Sequence, residues 1–368
     1  MEKFDYRDAA ADERQSPKGA RILDFKKIAI GAGWALGLSI AAVWLLLRLT
    51  GVENFSRQVG QVQVVFLVLG VSMIALSWWF DTIRLVILSR SLGRRLSLAG
   101  AFKITMMSSF MAGVTPFDTG GEPLKVYLLH REGVPLGEGA AIVALAALLH
   151  ATSRLLLFLV APLVALATGV AWAALPAVKA ALGLGLFIYL VFLGLMIASL
   201  IRPEIANNLA RRICRSRVVS KITSERTREE IVRRVSTHVQ EFREGVLRFS
   251  NMRLYAGTAS LLSVAYWLSL TLVPFFILTG VGVGASYPAA FATTMSLYLV
   301  TAYVPTPGAS GGAEIGSAAL FAAMVPSRLI GVFVLLWRLV SYYLTMAVGG
   351  LFIAFETISW SFRKIVAD

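Results

Sequence analysis

Long apolar stretches dominate this chain, at 28–47, 62–80, 139–161 (with polar interruptions), 178–201, 254–279 and 329–355. A run of about 18 or more apolar residues is long enough to cross the hydrocarbon of a bilayer as an α-helix. A backbone in lipid must satisfy its own hydrogen bonds, which admits helices and closed barrels and little else. These runs predict an all-α polytopic membrane protein. The composition agrees, with 57% hydrophobic and 15% charged residues and a mean hydropathy of +0.73, where a soluble domain carries about 25% charge. Helices use up most of the 368 residues, so a large soluble catalytic domain is not expected.

The remaining segments orient the chain. Residues 1–27 are polar and of mixed charge, and read as a disordered cytoplasmic tail. The first apolar run starts too late, and lacks the small-residue cleavage site, for a secretory signal. With Lys26 and Lys27 just before it, it reads as an uncleaved first helix whose N-terminus is inside. The single cysteine, Cys214, rules out an internal disulfide. Residues 202–253 hold thirteen Lys or Arg against six Glu. Basic loops mark the cytoplasmic side, and this one suits an amphipathic helix on anionic lipid headgroups. Nucleic acid is not an expected partner, because no recognition motif or aromatic platform accompanies the charge. The organisation that follows is a tail at 1–27, a first membrane half at 28–201, a basic amphipathic segment at 202–253, a second membrane half at 254–355, and a cytoplasmic C-terminal tail at 356–368. Both termini are then cytoplasmic.

The two halves resemble each other. Thr115-Pro116, Gly120-Gly121 and Val134-Pro135 recur as Thr306-Pro307, Gly311-Gly312 and Val325-Pro326, all at an offset of 191. Ala101-Phe102 and Thr105-Met106 recur as Ala290-Phe291 and Thr294-Met295 at an offset of 189. Chance could supply any one match in so biased a composition, but the ordered set predicts a duplication. Arg84, Arg90, Arg94, Arg95 and Lys103 follow the 62–80 run, whereas 271–292 contains no Lys or Arg. By the positive-inside rule the first region is cytoplasmic and the second is outside, so the halves are predicted to be inverted. The helix count closes only if about 98–133 and about 285–325 each dip into the membrane and return on their own side.

Each dip contains a break. Pro116 and Pro307 cannot donate a backbone hydrogen bond and would end an inward half-helix. Gly120, Gly121, Gly308, Gly311 and Gly312 permit tight turns and close approach. After the breaks, 121–130 and 312–324 can restart as half-helices whose N-termini carry free N–H groups and positive partial charge. Paired broken hairpins in inverted repeats are a transporter design. If the same turns lay outside the membrane, they would be ordinary loops.

Few charges lie within the apolar regions. Glu314 is the only charged residue between Arg253 and Arg328, and Glu122 is near its equivalent position. Either acid can offset a helix dipole. Charge at membrane depth is expensive and usually functional, so Glu314 is a candidate proton, cation or headgroup site, whereas Lys125 at i+3 offers Glu122 a local partner. Arg154 and Arg338 interrupt apolar helices, and arginine binds phosphate with a two-pronged geometry. Arg338 is expected near mid-membrane, and Arg154 nearer the outer side, where a snorkelling role is the alternative. Asp81 and Arg84 read as a local interfacial pair, and His150 as a packed polar residue. Three scattered histidines and one cysteine make no zinc signature, and no Walker loop or nucleophile elbow is present. No metal or cofactor is expected.

The run Pro305-x-Pro307-Gly308-x-x-Gly311-x-x-Glu314 resembles the second motif of the lysylphosphatidylglycerol synthase transmembrane family, also called the flippase-like domain. The run 120–129, GGEPLKVYLL, resembles its first motif, which more often reads Gly-Gly-Asp with Arg at the position of Lys125. Arg154 falls where the family tends to have an arginine, with Ser153 in place of the usual neighbouring acid. The resemblance covers most of 30–355. It implies a bacterial cell (inner) membrane protein that moves a modified phospholipid or a polyprenyl-linked lipid between leaflets. It implies no lysyl transfer, since nothing here matches the soluble aminoacyltransferase domain of fused members. The expected function is ATP-independent translocation, passive or ion-coupled, of an anionic or zwitterionic lipid. The expected partner is a lipid with a phosphate headgroup, and a homo-oligomer is compatible with this reading. Alternatives are a membrane transferase or phosphatase acting on a lipid headgroup, with Glu122 and Glu314 as acid and base, and a non-catalytic partner of a glycosyltransferase. The candidate substrate-binding set is Glu122, Lys125, Arg154, Glu314, Arg338, Gly120, Gly121, Gly311 and Gly312, with Pro116, Pro307 and Gly308 shaping the hairpins.

Overall fold

The computed structural model describes residues 55–205 and 225–367 continuously, with scattered positions between 30 and 48 and at 208, 212 and 214. The expected tail at 1–27, and much of the basic segment before 225, lie outside the described residues. The described positions within the first apolar run are helical. Every regular element among the described residues is a helix.

The first half comprises α1 (Val64–Ser91), α2 (Leu98–Val114), a 3-10 turn at Pro116–Asp118, α3 (Gly121–Arg131), α4 (Leu136–Thr168) and α5 (Pro176–Ile201). α6 (Glu225–Ser250) then leads to α7 (Arg253–Gly280), α8 (Tyr287–Thr301), a 3-10 turn at Pro307–Ala309, α9 (Gly312–Phe321) and α10 (Ser327–Arg338). A π-helical turn at Leu339–Tyr343 joins α10 to α11 (Leu344–Ala367). Among the described residues α1, α4, α5, α7 and the continuous stretch Ser327–Thr357 are long and apolar enough to cross a membrane. The chain is therefore a multi-pass membrane protein. α11 continues as helix through 356–367, within the segment expected to be the cytoplasmic C-terminal tail.

Local signals account for the boundaries. Ser97 accepts the Gly100 N–H at 3.0 Å and caps α2. Pro135 and Pro326, equivalent positions of the repeat, are the caps of α4 and α10, with φ/ψ of −53/143 and −54/141. Both α1 and α7 end at a glycine of positive φ, Gly93 and Gly282, which also correspond between the halves.

The packing repeats as the sequence does. α1 and α7, which correspond at 189, pack on each other more extensively than any other pair. α2 packs on α11, and its counterpart α8 packs on α4, so each hairpin lies against the long helical stretch that follows the other half's hairpin. Leu88, Ile104, Leu129 and Ile142 pack in a core at one end of the molecule. Ile277, Leu297, Phe321 and Phe333 pack in a second core. Leu184, Phe187, Phe192 and Leu195 on α5 are 61–66% exposed, which suits contact with acyl chains. Polar groups gather at the end that holds the first core: Arg94 pairs with Glu138 at 2.6 Å, and both Lys103 and Arg131 pair with Glu356. α6 docks at that end, with Glu241 accepting the Gly137 N–H at 3.0 Å and Arg248 donating to the Leu92 carbonyl at 3.0 Å.

Candidate functional site

The two sequence breaks adopt nearly the same backbone path. Thr115 has φ/ψ of −113/145 and Phe117 of 55/23. Thr306 has −103/150 and Gly308 has 58/26. Glycine occupies this left-handed region without penalty, whereas Phe117 carries a strain of about 1–2 kcal/mol. In the first turn Thr115 Oγ1 accepts the Gly120 N–H at 2.9 Å, and in the second Thr306 Oγ1 donates to the Ser310 carbonyl at 2.8 Å. The two turns touch each other. Close approach explains the glycines that start each following helix. A Cβ on Gly121 would lie 2.9 Å from Ala112 Cβ and from the Ser108 carbonyl, and one on Gly312 would lie 2.7 Å from Val304 Cγ2.

A buried clamp holds the second turn. The Glu314 carboxylate, fully buried, accepts the Gly311 N–H at 2.7 Å and meets Arg338 Nε at 2.8 Å. Arg338 Nη1 and Nη2 donate to the Gly308 carbonyl at 3.3 and 3.2 Å, and Nη2 donates to Ser310 Oγ at 3.2 Å. Its guanidinium stacks 4.2 Å from the Tyr342 ring centroid. Tyr342 belongs to the π-helical turn, and its hydroxyl donates to the Gly113 carbonyl at 2.9 Å, which ties the second half to the first hairpin. A Cβ on Gly308 would collide with the Tyr342 ring.

A cavity of about 340 Å³ opens where the turns meet, within the size range of ligand sites, about 300–1,000 Å³. Ser77 and Tyr266 line it, and they hold matching places in the equally long helices Val64–Ser91 and Arg253–Gly280. At a rise of about 1.5 Å per residue the cavity therefore sits about 20 Å along α1 and α7, near their midpoints. Its walls follow the repeat. Ser77, Trp78, Asp81, Ser109, Ala112 and Gly113 line it, and so do their counterparts at the offset of 189, Tyr266, Trp267, Leu270, Tyr298, Thr301 and Ala302. Asp118 and Arg154 line it opposite Ala309 and Thr345, their counterparts at the offset of 191. Three of these pairs contain a charge, and each time the charge is in the first half.

The charges differ in how they are engaged. Asp81 pairs with Arg84, and His150 Nε2 lies 3.5 Å from the same carboxylate oxygen. Arg84 reaches across to Ser263 Oγ on α7 at 3.0 Å. Arg338 is bound to Glu314. Arg154 has no carboxylate partner among the described residues. Its guanidinium lies 4.9 to 5.6 Å from the ring centroids of Tyr189, Trp267 and Phe158, and its Nε donates to Tyr189 Oη at 3.2 Å. This aromatic cradle fixes the plane and leaves the Nη groups available to an anion. The Asp118 carboxylate likewise has no hydrogen bond or ion pair among the described residues and lies within electrostatic reach of Arg154 and Arg338. Thr105 Oγ1 and Trp337 Nε1 are buried without a partner among the described residues, and both residues line the cavity.

The expected site residues therefore divide. Arg154 and Arg338 share one cavity, although the sequence places Arg338 near mid-membrane and Arg154 nearer the outer side. Gly308 also lines it. Glu314 lies behind it, inside the clamp. Gly120, Gly121, Gly311 and Gly312 shape the hairpins without lining the cavity, as do Pro116 and Pro307. Glu122 is half exposed outside the lining, with Lys125 Nζ 3.8 Å away. The interfacial reading of the Asp81–Arg84 pair is corrected: Arg84 is 1% exposed, because α1 runs on to Ser91, well past the apolar run that ends at 80. Asp118 drew no attention in the sequence, where it stands in a polar turn beside several glycines. Its signal was its offset of 191 from Ala309. Among the described residues no group of three or more His, Cys, Asp or Glu is placed to hold a metal.

Residues 33–349 match the family described as "Lysylphosphatidylglycerol synthase TM region". The chain is also similar to a UPF0104 membrane protein of Archaeoglobus fulgidus, 26% identical over 331 residues, which cover 89% of this chain and 97% of the relative.

Proposed function

From the premise that the chain belongs to the lysylphosphatidylglycerol synthase transmembrane family, we propose that it moves a phospholipid or a polyprenyl-phosphate-linked lipid between leaflets without ATP, the headgroup passing through the cavity between the two turns. The observation that carries this reading is Arg154, held in an aromatic cradle at the cavity wall with no acidic partner among the described residues. A guanidinium so placed is pre-organised for a phosphate. The unpartnered polar atoms of Thr105 and Trp337 would add contacts to headgroup oxygens.

The reading includes a topology. The matched halves are taken as inverted repeats, with α2–α3 and α8–α9 as re-entrant hairpins whose turns meet at mid-membrane. Broken backbone at that depth is tolerated where it is buried in protein or lines a wet cavity. Here both turns contact each other, and residues of both line the cavity. The basic end with α6 would face the cytoplasm and its anionic lipids, with both termini on that side of the inner membrane. Transport is favoured over headgroup chemistry because Glu122 and Glu314, the acid and base of the enzymatic alternative, do not share a site: one is outside the cavity and the other is locked to Arg338.

The test is a dithionite-quench assay on proteoliposomes carrying a trace of fluorescent phosphatidylglycerol or phosphatidylcholine. Protein-dependent exchange is expected for at least one probe, reduced about tenfold or more by Arg154→Ala, since losing a charge-assisted contact costs about 1.5–3 kcal/mol. No exchange of either probe by a monodisperse wild-type protein would remove the phospholipid form of the transport reading.

A further inference from the structure

The charges at the cavity wall and immediately behind it form a balanced set. Asp81 is paired with Arg84, Glu314 with Arg338, and the buried Lys125 with Glu122. Asp118 and Arg154 are left, one of each sign, unpaired with any described residue. Counted without the His150 imidazole, the eight charges sum to zero. A lipid bearing one phosphodiester charge would leave the occupied cavity at −1 near the middle of the spanning helices, where net charge is disfavoured once the cavity closes over it; in this structure the first turn, Asp118 included, is still exposed.

We infer that Asp118 is a proton-binding group, and that the protein carries one proton together with each net-anionic lipid. This rests on the transport reading above. The groups that face the cavity with Asp118 are Arg154 from α4, Arg338 and Tyr342 from α10 and the π-helical turn, Asp81 from α1, Tyr266 from α7 and Tyr298 from α8. The other two acids are bound by buried guanidinium partners: Asp81 by Arg84, and Glu314 by Arg338. Asp118 alone can gain a proton without stranding an arginine. Protonated, it frees the field of Arg154 for a phosphate. The phosphate in turn favours the protonated form, because binding linkage is reciprocal. Asp118 also sits on the turn that contacts Pro307–Ala309 of the other half, at the junction that must rearrange if the cavity opens to alternate sides. The loaded cavity, with lipid and proton both bound, is then neutral. The proton leaves on the far side with the lipid.

One proton per monoanionic lipid makes transport electroneutral, which separates this proposal from its rivals. The experiment uses full-length protein in phosphatidylcholine vesicles with a trace of fluorescent phosphatidylglycerol, under a pH gradient or a potassium diffusion potential. Wild type should concentrate the probe in the leaflet on the alkaline side, up to about tenfold per pH unit. It should ignore the potential, and a phosphatidylcholine probe should show no accumulation. Asp118→Asn, a permanently neutral side chain, should reverse this: no response to the pH gradient, and a leaflet ratio that follows the potential, tenfold for about 60 mV. Asp118→Glu should keep the pH response. A merely damaged protein would acquire no response to potential. If wild type exchanges phosphatidylglycerol but never concentrates it under a pH gradient, the inference fails while the transport reading stands. If Asp118→Asn keeps the pH response, the proton site is elsewhere and the assignment is wrong. If Asp118→Asn instead loses only an amine-bearing probe, phosphatidylethanolamine, the carboxylate is an amine contact and the proposal is overturned.

Discussion

Arg338→Ala is the sharpest test of how the second hairpin is held. The substitution removes the ion pair to Glu314 at 2.8 Å, the hydrogen bonds to Gly308 and Ser310 at 3.2–3.3 Å, and the stacking on Tyr342 at 4.2 Å. The hydrogen bonds are long, and each contributes about 0.5–1.5 kcal/mol at most. The cation–π contact adds about 0.5–2 kcal/mol. The larger effect is on what remains. Glu314 is completely buried, and a buried carboxylate robbed of its partner destabilises by about 3–5 kcal/mol. Glu314→Gln keeps an oxygen for the Gly311 N–H and should be milder. The double variant Glu314→Gln/Arg338→Met removes both charges and keeps most of the volume, so it should be more stable than Arg338→Ala alone. Reversible unfolding in mixed micelles, titrated with SDS, of wild type, Glu314→Gln, Arg338→Met and the double variant gives the four free energies of the cycle. A coupling below about 0.5 kcal/mol, within the spread of independent sites, would mean that the two residues do not form the clamp described here.

Two further outcomes are expected. Gly121→Leu and Gly312→Leu should each abolish lipid exchange while leaving some folded protein, since a Cβ already meets Ala112 and Ser108, or Val304, at 2.7–2.9 Å; full exchange by both variants would make the close approaches incidental. In a Cys214→Ser background, a cysteine at Ser286 should react with an impermeant maleimide added outside intact cells, and one at Arg243 only after the membrane is opened; labelling of the Ser286 site from the cytoplasm alone would cancel the inverted topology.

What the sequence alone determined was linear information. Apolar run length placed three of the five long helices to within a few residues, whereas α1 runs on past residue 80 to Ser91 and α4 past residue 161 to Thr168. The offsets of 189 and 191 between the halves reappear as matched turns, matched caps and a cavity lined by corresponding positions. Proline and glycine spacing located both breaks, because their backbone constraints are local.

The role of each charge was decided by tertiary structure. Glu314 is solitary in sequence and was therefore expected to face a substrate. Isolation along the chain says nothing about neighbours across it, and Arg338, at the end of the next helix, neutralises it. Asp81 and Arg84 looked interfacial because they follow an apolar run; paired with each other, and with Arg84 bonded to Ser263 on α7, they can be buried, so α1 continues past them. Asp118 and Arg154 belong to different elements of the same half, and only the folding that brings the first turn and α4 to the same wall puts both on one cavity. A salt bridge satisfied inside the fold and a charge left for a ligand are spelled with the same letters, and the distance between side chains, which only the folded chain sets, tells them apart.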